Sequence, residues 1–254
     1  MTAHLRVLPV FRHHLAGYRR TWRGSLSTSF VVPLLFMTVV GTGLTGDVTV
    51  GDTVVPYLRY FVPGMIMSGA LTITFTESTW PVYSGFRWTR IYEGMATTSL
   101  RSRDILLGHV CFVMLRAGLS ASVFVIVASI LRAVPPPDLL ILFPLVMLLA
   151  LSCANPLFAL AARARSDATF RVVFRLGVVP LQLFSGVFFP VEHLPWGLAL
   201  VAWISPLWHA LEAYRELSLG QAGGTTLLHV GYLLLWVVVG WRLAARSFAR
   251  VLHR

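Results

Sequence analysis

The stretch LLILFPLVMLLALSCANPLFALAARAR, residues 139–165, is a run of 24 uncharged residues that ends at two arginines. A helix rises about 1.5 Å per residue and the hydrocarbon core of a bilayer is about 30 Å thick, so roughly 20 apolar residues cross it. The whole chain has a matching composition, with 56% hydrophobic residues, 12% charged residues and a mean hydropathy of +0.74. Soluble domains carry about twice that share of charge. The sequence therefore predicts an integral membrane protein.

Similar apolar runs recur along the chain and predict an all-α fold with six transmembrane helices, in a single domain over residues 1–254. The runs lie at about residues 26–44, 60–80, 106–131, 139–162, 170–189 and 225–245. Residues 1–25 combine arginines with apolar residues at helical spacing, which is typical of an amphipathic helix in the headgroup plane. Residues 81–105, between the second and third runs, form a predicted cytoplasmic segment.

The arginines lie almost entirely on one side of the membrane that these runs define. All 21 basic side chains are arginine: five precede the first run, and groups of four follow the second run, surround the fourth-to-fifth junction and follow the last run. Cytoplasmic segments of membrane proteins carry such an excess of positive charge. The pattern predicts a multi-pass protein with both termini in the cytoplasm.

The segment between the fifth and sixth runs is too short to cross the membrane. Residues 196–204 are apolar, and Ser205-Pro206 then breaks the pattern. Nine helical residues rise only about 14 Å, half the hydrocarbon thickness. A full crossing would also place the last four arginines on the wrong side. The sequence therefore predicts that residues 190–216 form a re-entrant helical hairpin in the outer leaflet.

Several classes of function lack the residues that they require. A net charge of +11 is typical of nucleic-acid-binding proteins, but here the charge is interleaved with apolar runs, and attraction to anionic lipid accounts for it. Without lysine the chain has no standard phosphate-binding loop. The eight histidines are not at metal-ligand spacing, and no catalytic constellation is visible. We expect no nucleic-acid partner and no cofactor, metal or active site in this chain.

Two motifs, in this order along the chain, resemble those of one transporter family. The first is GFRWTRIYEGMATTSL at residues 85–100 with DILLG at 104–108, and the second is FSGVFFP at 184–190 with Leu194-Pro195, Ser205-Pro206-Leu207 and Arg215. With these motifs the chain resembles type-2 ATP-binding-cassette (ABC) exporter permeases over essentially its whole length. The branch that it resembles most holds nodulation-factor (lipo-oligosaccharide) and daunorubicin-type drug exporters.

The resemblance implies a half-transporter of a bacterial inner membrane. Two permease chains, identical or different, pair, and each docks a separate ATPase subunit that holds ATP and Mg. The first motif then contacts that subunit, through Arg87, Arg90, Tyr92, Glu93, Met95, Thr98 and Leu100. The second motif forms the re-entrant hairpin, with Gly186, Phe189, Pro190, Pro195 and Pro206.

Polar residues inside the predicted spans are candidates for the substrate pathway, because such groups are expensive in lipid. The candidates are Ser68, Thr72, Thr76, Arg116 and Asn155. Helix packing is the alternative for the hydroxyl residues, and a structural kink is the alternative for Asn155-Pro156. Arg116 lies about 15 Å into its span, whereas Glu77 lies close to the end of its own. We therefore expect Arg116 to bind backbone carbonyls or an anionic group of a lipid or substrate rather than Glu77.

Together these features predict the permease subunit of an ABC exporter that moves a drug, an antibiotic or a lipid-like amphiphile out of the cytoplasm or the inner leaflet. The alternative substrate is a lipo-oligosaccharide or a polysaccharide. An ion-coupled secondary transporter predicts inverted repeats with matching broken helices, but the sequence has one broken segment and no internal repeat. An intramembrane enzyme is a third class, and it requires a catalytic constellation.

Overall fold

A computed structural model shows a helical bundle and describes residues 6–20, 22, 35, 38–39, 46–50 and 53–253. The predicted first span, residues 26–44, lies outside the described residues except at three positions. The described elements are α1 (residues 6–20), β1 (Asp47–Val50), β2 (Thr53–Pro56), α2 (Tyr57–Arg87), α3 (Ile91–Ala96), α4 (Ser102–Ile130), α5 (Pro136–Arg163), α6 (Ala168–Val173), α7 (Val179–Phe184), α8 (Trp196–Ile204), α9 (Pro206–Ser218) and α10 (Gly224–Leu252).

A two-stranded antiparallel sheet precedes α2, where the sequence predicts a short outer loop. Strands β1 and β2 pair with Val48 opposite Val55 and Thr49 opposite Val54. Alternating threonine and valine favour a strand because β-branched side chains pack well on a pleated surface. The all-α prediction is therefore corrected at this hairpin, and the rest of the described fold is helical.

Among the residues that the structure describes, four helices are long and apolar enough to cross a membrane, namely α2, α4, α5 and α10. They contain 31, 29, 28 and 29 residues, which corresponds to about 42–47 Å of helix. They match the second, third, fourth and sixth predicted spans. Helix α2 continues to Arg87, seven residues past the end of its apolar run, so the hydropathy pattern marks only part of the helix.

The fifth predicted span, residues 170–189, is interrupted and ends early. Its helix comprises α6, a π-helical turn at Phe174–Val178 and α7. Pro180 has no amide hydrogen and its ring clashes with the carbonyl four residues earlier, which explains why the helix widens just before it. The helix ends at Phe184, and Gly186 then has a left-handed φ of +78°. The predicted continuation of the helix to residue 189 is wrong.

Helix α5 lies within the bundle and contacts α2, α4, α9 and α10. Its contact with α10 is close at Gly240, where an added Cβ would lie 2.6 Å from Pro156 Cδ and 2.9 Å from Asn155 Cβ. Small residues allow this approach, as they do in many membrane helix pairs. Asn155 also donates from Nδ2 to the carbonyl of Val237 on α10 at 3.1 Å. Asn155 therefore takes part in helix packing.

The predicted hairpin contains two helices, α8 and α9, with only Ser205 between them. The Ser205 hydroxyl accepts hydrogen bonds from the amides of Leu207 and Trp208 and so caps α9. It also accepts from the Ser185 hydroxyl at 2.7 Å, which ties the helix pair to the end of α7. The position of the pair within one leaflet stays a prediction.

The bundle has an arginine-rich end, where α2, α5 and α10 finish and α4 begins. There the Ser102 hydroxyl lies 3.1 Å from His253 Nε2, just beyond α10. The described arginines at or near this end are Arg87, Arg90, Arg101, Arg103, Arg163, Arg165, Arg171, Arg242, Arg246 and Arg250. At the opposite end, Arg59 pairs with Asp138 at 3.2 Å and joins the start of α2 to the start of α5.

Candidate functional site

The α2–α4 segment, residues 87–100, lies on the surface at the arginine-rich end of the bundle, and one of its residues is buried. All 14 of these residues are described, and Tyr92 alone is buried, at 1% exposure. Trp88 is 64% exposed. The left-handed Arg90, with a φ of 50°, precedes the short helix α3. Of the predicted contact residues, the exposed ones are Arg87, Arg90, Glu93 and Thr98, and the half-buried ones are Met95 and Leu100.

Tyr92 is held by α2, α4 and α10 together. A Cβ at Gly85 would overlap the Tyr92 ring, so glycine provides the space for it. The hydroxyl lies 2.6 Å from His109 Nδ1 on α4, and the ring centroid lies 5.7 Å from that of Phe248 on α10. Burial raises the pKa of Tyr92, so the hydroxyl remains protonated. Tyr92 therefore anchors the segment, while its neighbours provide the exposed surface.

The charged side chains of the α2–α4 segment make only weak contacts with the rest of the described chain. Arg87 donates to the carbonyl of Ala164 at 3.2 Å. Arg90 Nε lies 4.0 Å from Glu93 Oε2, and both side chains are exposed. Such an exposed pair contributes little stability. The surface therefore presents both a cation and an anion to whatever binds there.

Helix α1 packs alongside the first turns of α4. Val10 contacts α4 at Gly108, where a Cβ would lie 2.5 Å from the valine Cβ. Eight residues further along each helix, the Arg116 guanidinium lies 4.0 Å from the centroid of the Tyr18 ring. Because the two contacts are separated by the same number of residues on each helix, α1 and α4 lie side by side between them. The predicted amphipathic segment is helical over residues 6–20, and its place in the headgroup plane stays a prediction.

Two histidines form part of the contact between α1 and α4. The rings of His14 and His109 are stacked, with centroids 3.8 Å apart. Burial, followed by the charge of His13, lowers the pKa of His14 to about 4. His14 is therefore neutral near pH 7. His109 is fully buried, a position that the scattered spacing of the histidines in the sequence did not indicate.

Arg116 forms an ion pair with Glu77, contrary to the expectation from the sequence. Its Nε lies 3.0 Å from Glu77 Oε1, and the two side chains are 4% and 18% exposed. The helices are longer than their apolar runs, so Glu77 lies about 15 Å from the end of α2 and Arg116 about 21 Å from the start of α4. Glu77 and Tyr18 also line a cavity of about 220 Å³. Arg116, on α4, therefore contacts both Glu77 on α2 and Tyr18 on α1.

The hydroxyl residues of α2 meet Gln182 on α7. Gln182 Nε2 donates to the Ser68 carbonyl at 3.0 Å and to Thr72 Oγ1 at 2.8 Å. Thr76 is exposed and donates to the Thr72 carbonyl of its own helix. The sequence analysis did not select Gln182, although a lone amide within an apolar run was a usable signal. Ser68 and Thr72 thus take part in helix packing, and Thr76 remains accessible.

The five candidates for the substrate pathway do not converge on one site. Arg116 contacts α1, Asn155 on α5 contacts α10, and Ser68 and Thr72 contact Gln182 on α7. Thr76 is exposed. A separate cavity of about 280 Å³ lies between α2, α5, the fifth-span helix, the α8–α9 pair and α10. It is mainly apolar, and its lining includes Leu71, Cys153, Leu181, Ile204 and Trp236.

The second motif forms a clamp around Gly186. The Gly186 carbonyl accepts hydrogen bonds from the Tyr60 hydroxyl at 2.7 Å and from Arg215 Nη2 at 2.5 Å. The Arg215 guanidinium also lies 4.1 Å from the Tyr60 ring centroid and pairs with Glu212 at 2.7 Å. The sequence placed Arg215 in the motif but did not select Tyr60 or Arg215 as site residues. Their contacts join α2 to α9 across the end of the fifth span.

The remaining hairpin residues set helix ends or face outward. Pro190 is buried and precedes a 3-10 turn, whereas Phe189 is 39% exposed. Pro195 immediately precedes α8, and Pro206 is the first residue of α9. Proline suits the first helical position because a backbone N–H there has no hydrogen-bond partner within the helix, and proline has no N–H. The motif thus determines where two short helices begin.

Long apolar helices, with an anchored segment at the arginine-rich end of the bundle, are the features of a multi-pass membrane protein. The family model described as "ABC-2 type transporter" matches residues 10–219. Since this match covers most of the chain, the chain belongs to that family, and it is a membrane transport subunit.

Three relatives illustrate how far the similarity extends. Nodulation protein J of Rhizobium leguminosarum bv. viciae is 28% identical over 248 residues, which cover 97% of this chain and 95% of the relative. Nodulation protein J of Rhizobium meliloti (strain 1021) is 27% identical over 243 residues, covering 96% and 92%. Nodulation protein J of Azorhizobium caulinodans is 24% identical over 226 residues, covering 89% and 87%. The similarity therefore covers nearly whole chains.

Proposed function

We propose that this chain is the permease subunit of an ABC exporter and that a separate ATPase subunit docks on the α2–α4 segment. The observation that carries the proposal is the anchoring of this exposed segment at Tyr92, which contacts α2, α4 and α10. Movement imposed on the exposed residues reaches three long helices through one buried ring. ATP and Mg bind to the partner, which performs the hydrolysis.

The docking surface consists of the side chains that stay accessible around this anchor. They are Arg87, Arg90, Glu93, Met95, Thr98 and Leu100, with Tyr92 beneath them. Met95 and Leu100 offer apolar contact at the edge of the segment, while Arg90 and Glu93 give the surface both signs of charge. Charged groups of this kind fix register and speed association more than they add affinity.

We orient the arginine-rich end toward the cytoplasm of a bacterial inner membrane, following the bias of cytoplasmic segments toward arginine. With the predicted first span at residues 26–44, this orientation gives six spans and cytoplasmic termini. Residues 190–216 then form the re-entrant hairpin of the outer leaflet, supported by the nine-residue length of α8. Two permease chains, identical or different, complete the transporter.

The substrate that we propose is an amphiphile, either a drug or antibiotic or a lipid-like molecule. The mainly apolar cavity of about 280 Å³ beside the α8–α9 pair supports an apolar moiety. A lipo-oligosaccharide is the second candidate, because relatives matched over nearly their whole length are named Nodulation protein J. Both candidate substrates carry an apolar chain. They differ in the polar group that must pass through the pathway.

Charge reversal within the α2–α4 segment tests the docking proposal. The full chain is reconstituted with a candidate ABC ATPase subunit, and both binding and ATPase stimulation are measured. We expect Glu93→Arg or Met95→Arg to weaken binding about tenfold or more, because misplaced charge at a contact costs several kcal/mol. Asp167→Arg is the matched control, since Asp167 is a carboxylate in the α5–α6 turn at the same end of the bundle. Equal behaviour of Glu93→Arg and Asp167→Arg would contradict the assignment.

Transport into proteoliposomes tests the substrate class. ATP-dependent uptake by inside-out vesicles is compared for a cationic amphiphilic drug, a fluorescent phospholipid and a lipid-linked oligosaccharide. Uptake of the drug or the phospholipid supports the first candidate, and selective uptake of the oligosaccharide supports the second. ATP-independent uptake that follows an imposed ion gradient would favour a secondary transporter instead.

A further inference from the structure

A basic cleft of about 680 Å³ opens between the start of α4 and the last turns of α10. This α4–α10 cleft is lined by four arginines, Arg101, Arg103, Arg242 and Arg246, together with Trp241 and His253. Its volume lies within the range of roughly 300–1,000 Å³ that is usual for small-molecule sites. The cleft shares no lining residue with the cavity beside the α8–α9 pair, and it begins at Arg101, immediately after the α2–α4 segment.

The four guanidinium groups of the cleft form no ion pair within the described residues, and the nearby Asp104 carboxylate instead accepts from the backbone amide of Arg101 at 3.0 Å. In residues 53–253, all of which the structure describes, no carboxylate lies within ion-pair distance of any of them. All four side chains are exposed. Planar guanidinium groups bind phosphate with two parallel hydrogen bonds, and several of them around one cleft favour a phosphate-bearing ligand.

The exposed surface of α10 continues from the cleft as an apolar stripe. Leu228, Leu235 and Val238 precede Arg242 and Arg246 at helical spacing, so all five share one face. The three apolar side chains are 73%, 59% and 47% exposed. Leu228 and Arg242 are 14 residues, or about 21 Å, apart along the axis, which exceeds the half-thickness of the hydrocarbon core. One face of α10 therefore offers a site for acyl chains that ends at a site for phosphate.

We propose that the α4–α10 cleft binds the headgroup of an anionic phospholipid, with the phosphodiester between the arginines of α4 and α10. The acyl chains lie along Leu228, Leu235 and Val238, and Trp241 marks the headgroup level, where tryptophan is enriched. Basic pockets between transmembrane helices are suited to such headgroups. The bound lipid links α4 to α10 beside the hydrogen bond between Ser102 and His253. This inference rests on the cleft itself and is independent of the substrate and of ATPase docking.

Lipid titration of the full chain tests the proposal. The purified protein in a neutral detergent is titrated with phosphatidylglycerol or phosphatidylcholine, and bound lipid is counted by native mass spectrometry. The test variant is Arg242→Gln/Arg246→Gln, and the control is Arg163→Gln/Arg165→Gln. The control removes the same charge from exposed arginines at the same end of the bundle, outside the cleft. If the test variant does not fold, Arg242→Gln alone replaces it, with Arg163→Gln as its control.

The expected result is preferential binding of phosphatidylglycerol that the test variant weakens. Each arginine near the membrane surface contributes roughly 1 kcal/mol, or about fivefold, so the double variant should lose about 25-fold in affinity. The control variant should stay within about twofold of wild type. Equal losses in both variants, or equal binding of the two lipids, would overturn the proposal. So would full competition by glycerol 3-phosphate, which indicates a free-phosphate site, or loss of ATPase docking with lipid binding intact, which indicates a protein-binding surface.

Discussion

The ion pair between Glu77 and Arg116 predicts a large loss of stability when only one partner is changed. The two side chains meet at 3.0 Å and are 18% and 4% exposed. Removing one partner of a buried pair costs about 3–5 kcal/mol, because the other charge stays in a medium of low dielectric. In Glu77→Gln, Arg116 retains the Tyr18 ring at 4.0 Å. We therefore expect the lower part of that range, about 3 kcal/mol.

Thermal unfolding of the purified protein in detergent measures this loss. For a chain of this size, 1 kcal/mol shifts the unfolding midpoint by about 2–4 °C, so Glu77→Gln should lower it by about 6–12 °C. Arg116→Met should lower it similarly. The double variant removes both charges and should recover at least half of the loss, since apolar replacement of a buried pair is often neutral. Asp167→Asn is the control, because it breaks an exposed pair with Arg171 and should shift the midpoint by less than about 3 °C.

Two outcomes would refute this account of Arg116. One is a midpoint for Glu77→Gln within the range of the Asp167→Asn control. The other is simple addition of the two single effects in the double variant, because contacting residues show a coupling energy and independent ones do not. A substrate-binding Arg116 predicts a different pattern, in which Arg116→Met changes the substrate concentration for half-maximal transport and leaves the midpoint unchanged.

Three further predictions concern helix contacts. Tyr92→Phe leaves His109 Nδ1 buried without its hydrogen-bond partner. The variant should lose about 1–3 kcal/mol of stability, measured by thermal unfolding. An unchanged unfolding midpoint would contradict the role of Tyr92 as the anchor. Gly240→Ala brings a Cβ against Pro156 and should cost about 1–3 kcal/mol, whereas Gly231→Ala on the same helix meets no neighbour and should be neutral or slightly stabilising. The pKa of His14 is lowered from 6.5 to about 4, so the unfolded state binds more protons between these values, and stability should fall as the pH drops from 6.5 toward 4. Unfolding midpoints across that range should fall less steeply in His14→Phe, and identical slopes would contradict the assignment.

Hydropathy predicted the four long apolar helices α2, α4, α5 and α10 but not where they end. Apolar runs report the hydrocarbon layer, whereas a helix continues through the headgroup region as long as its backbone bonds are satisfied. Helix α2 continues to Arg87 for this reason. The shorter predicted span placed Glu77 near a membrane surface, and this error separated it from Arg116. The ion pair could have been expected had both helices been extended at the arginine-rich end of the bundle.

Backbone irregularities were predicted only where a single residue determines them. Ser205-Pro206 marked the break between α8 and α9, because proline starts a helix and serine caps it. A proline at position 180 disfavours a regular helix there, but the sequence does not specify that a π-helical turn precedes it. The hairpin β1–β2 has a recognisable sequence signal, since β-branched residues flank Gly51-Asp52.

Side-chain partners between distant spans could not be predicted, because they depend on how each helix is rotated about its axis. The hydroxyl residues of α2 indicated helix packing or a pathway, and the partner that decides between these, Gln182, lies more than 100 residues away. Tyr92 shows the same limit. Its place in an exposed motif suggested a contact residue, but the absence of a side chain at Gly85 makes room for its ring inside the bundle.

The arginines at one end of the bundle have at least three different structural roles, although in the sequence all of them belong to the same charge bias. Arg87 binds the carbonyl that follows α5, and Arg171 pairs with Asp167 within one helical turn, so both have partners in the chain. Arg90 lies beside Glu93 on an exposed surface suited to a protein partner. Arg242 and Arg246, by contrast, face a cleft without a carboxylate and continue an apolar stripe. Orientation in the membrane depends only on the sum of these charges, whereas the proposed anionic lipid would also account for the position of the last two around one cleft.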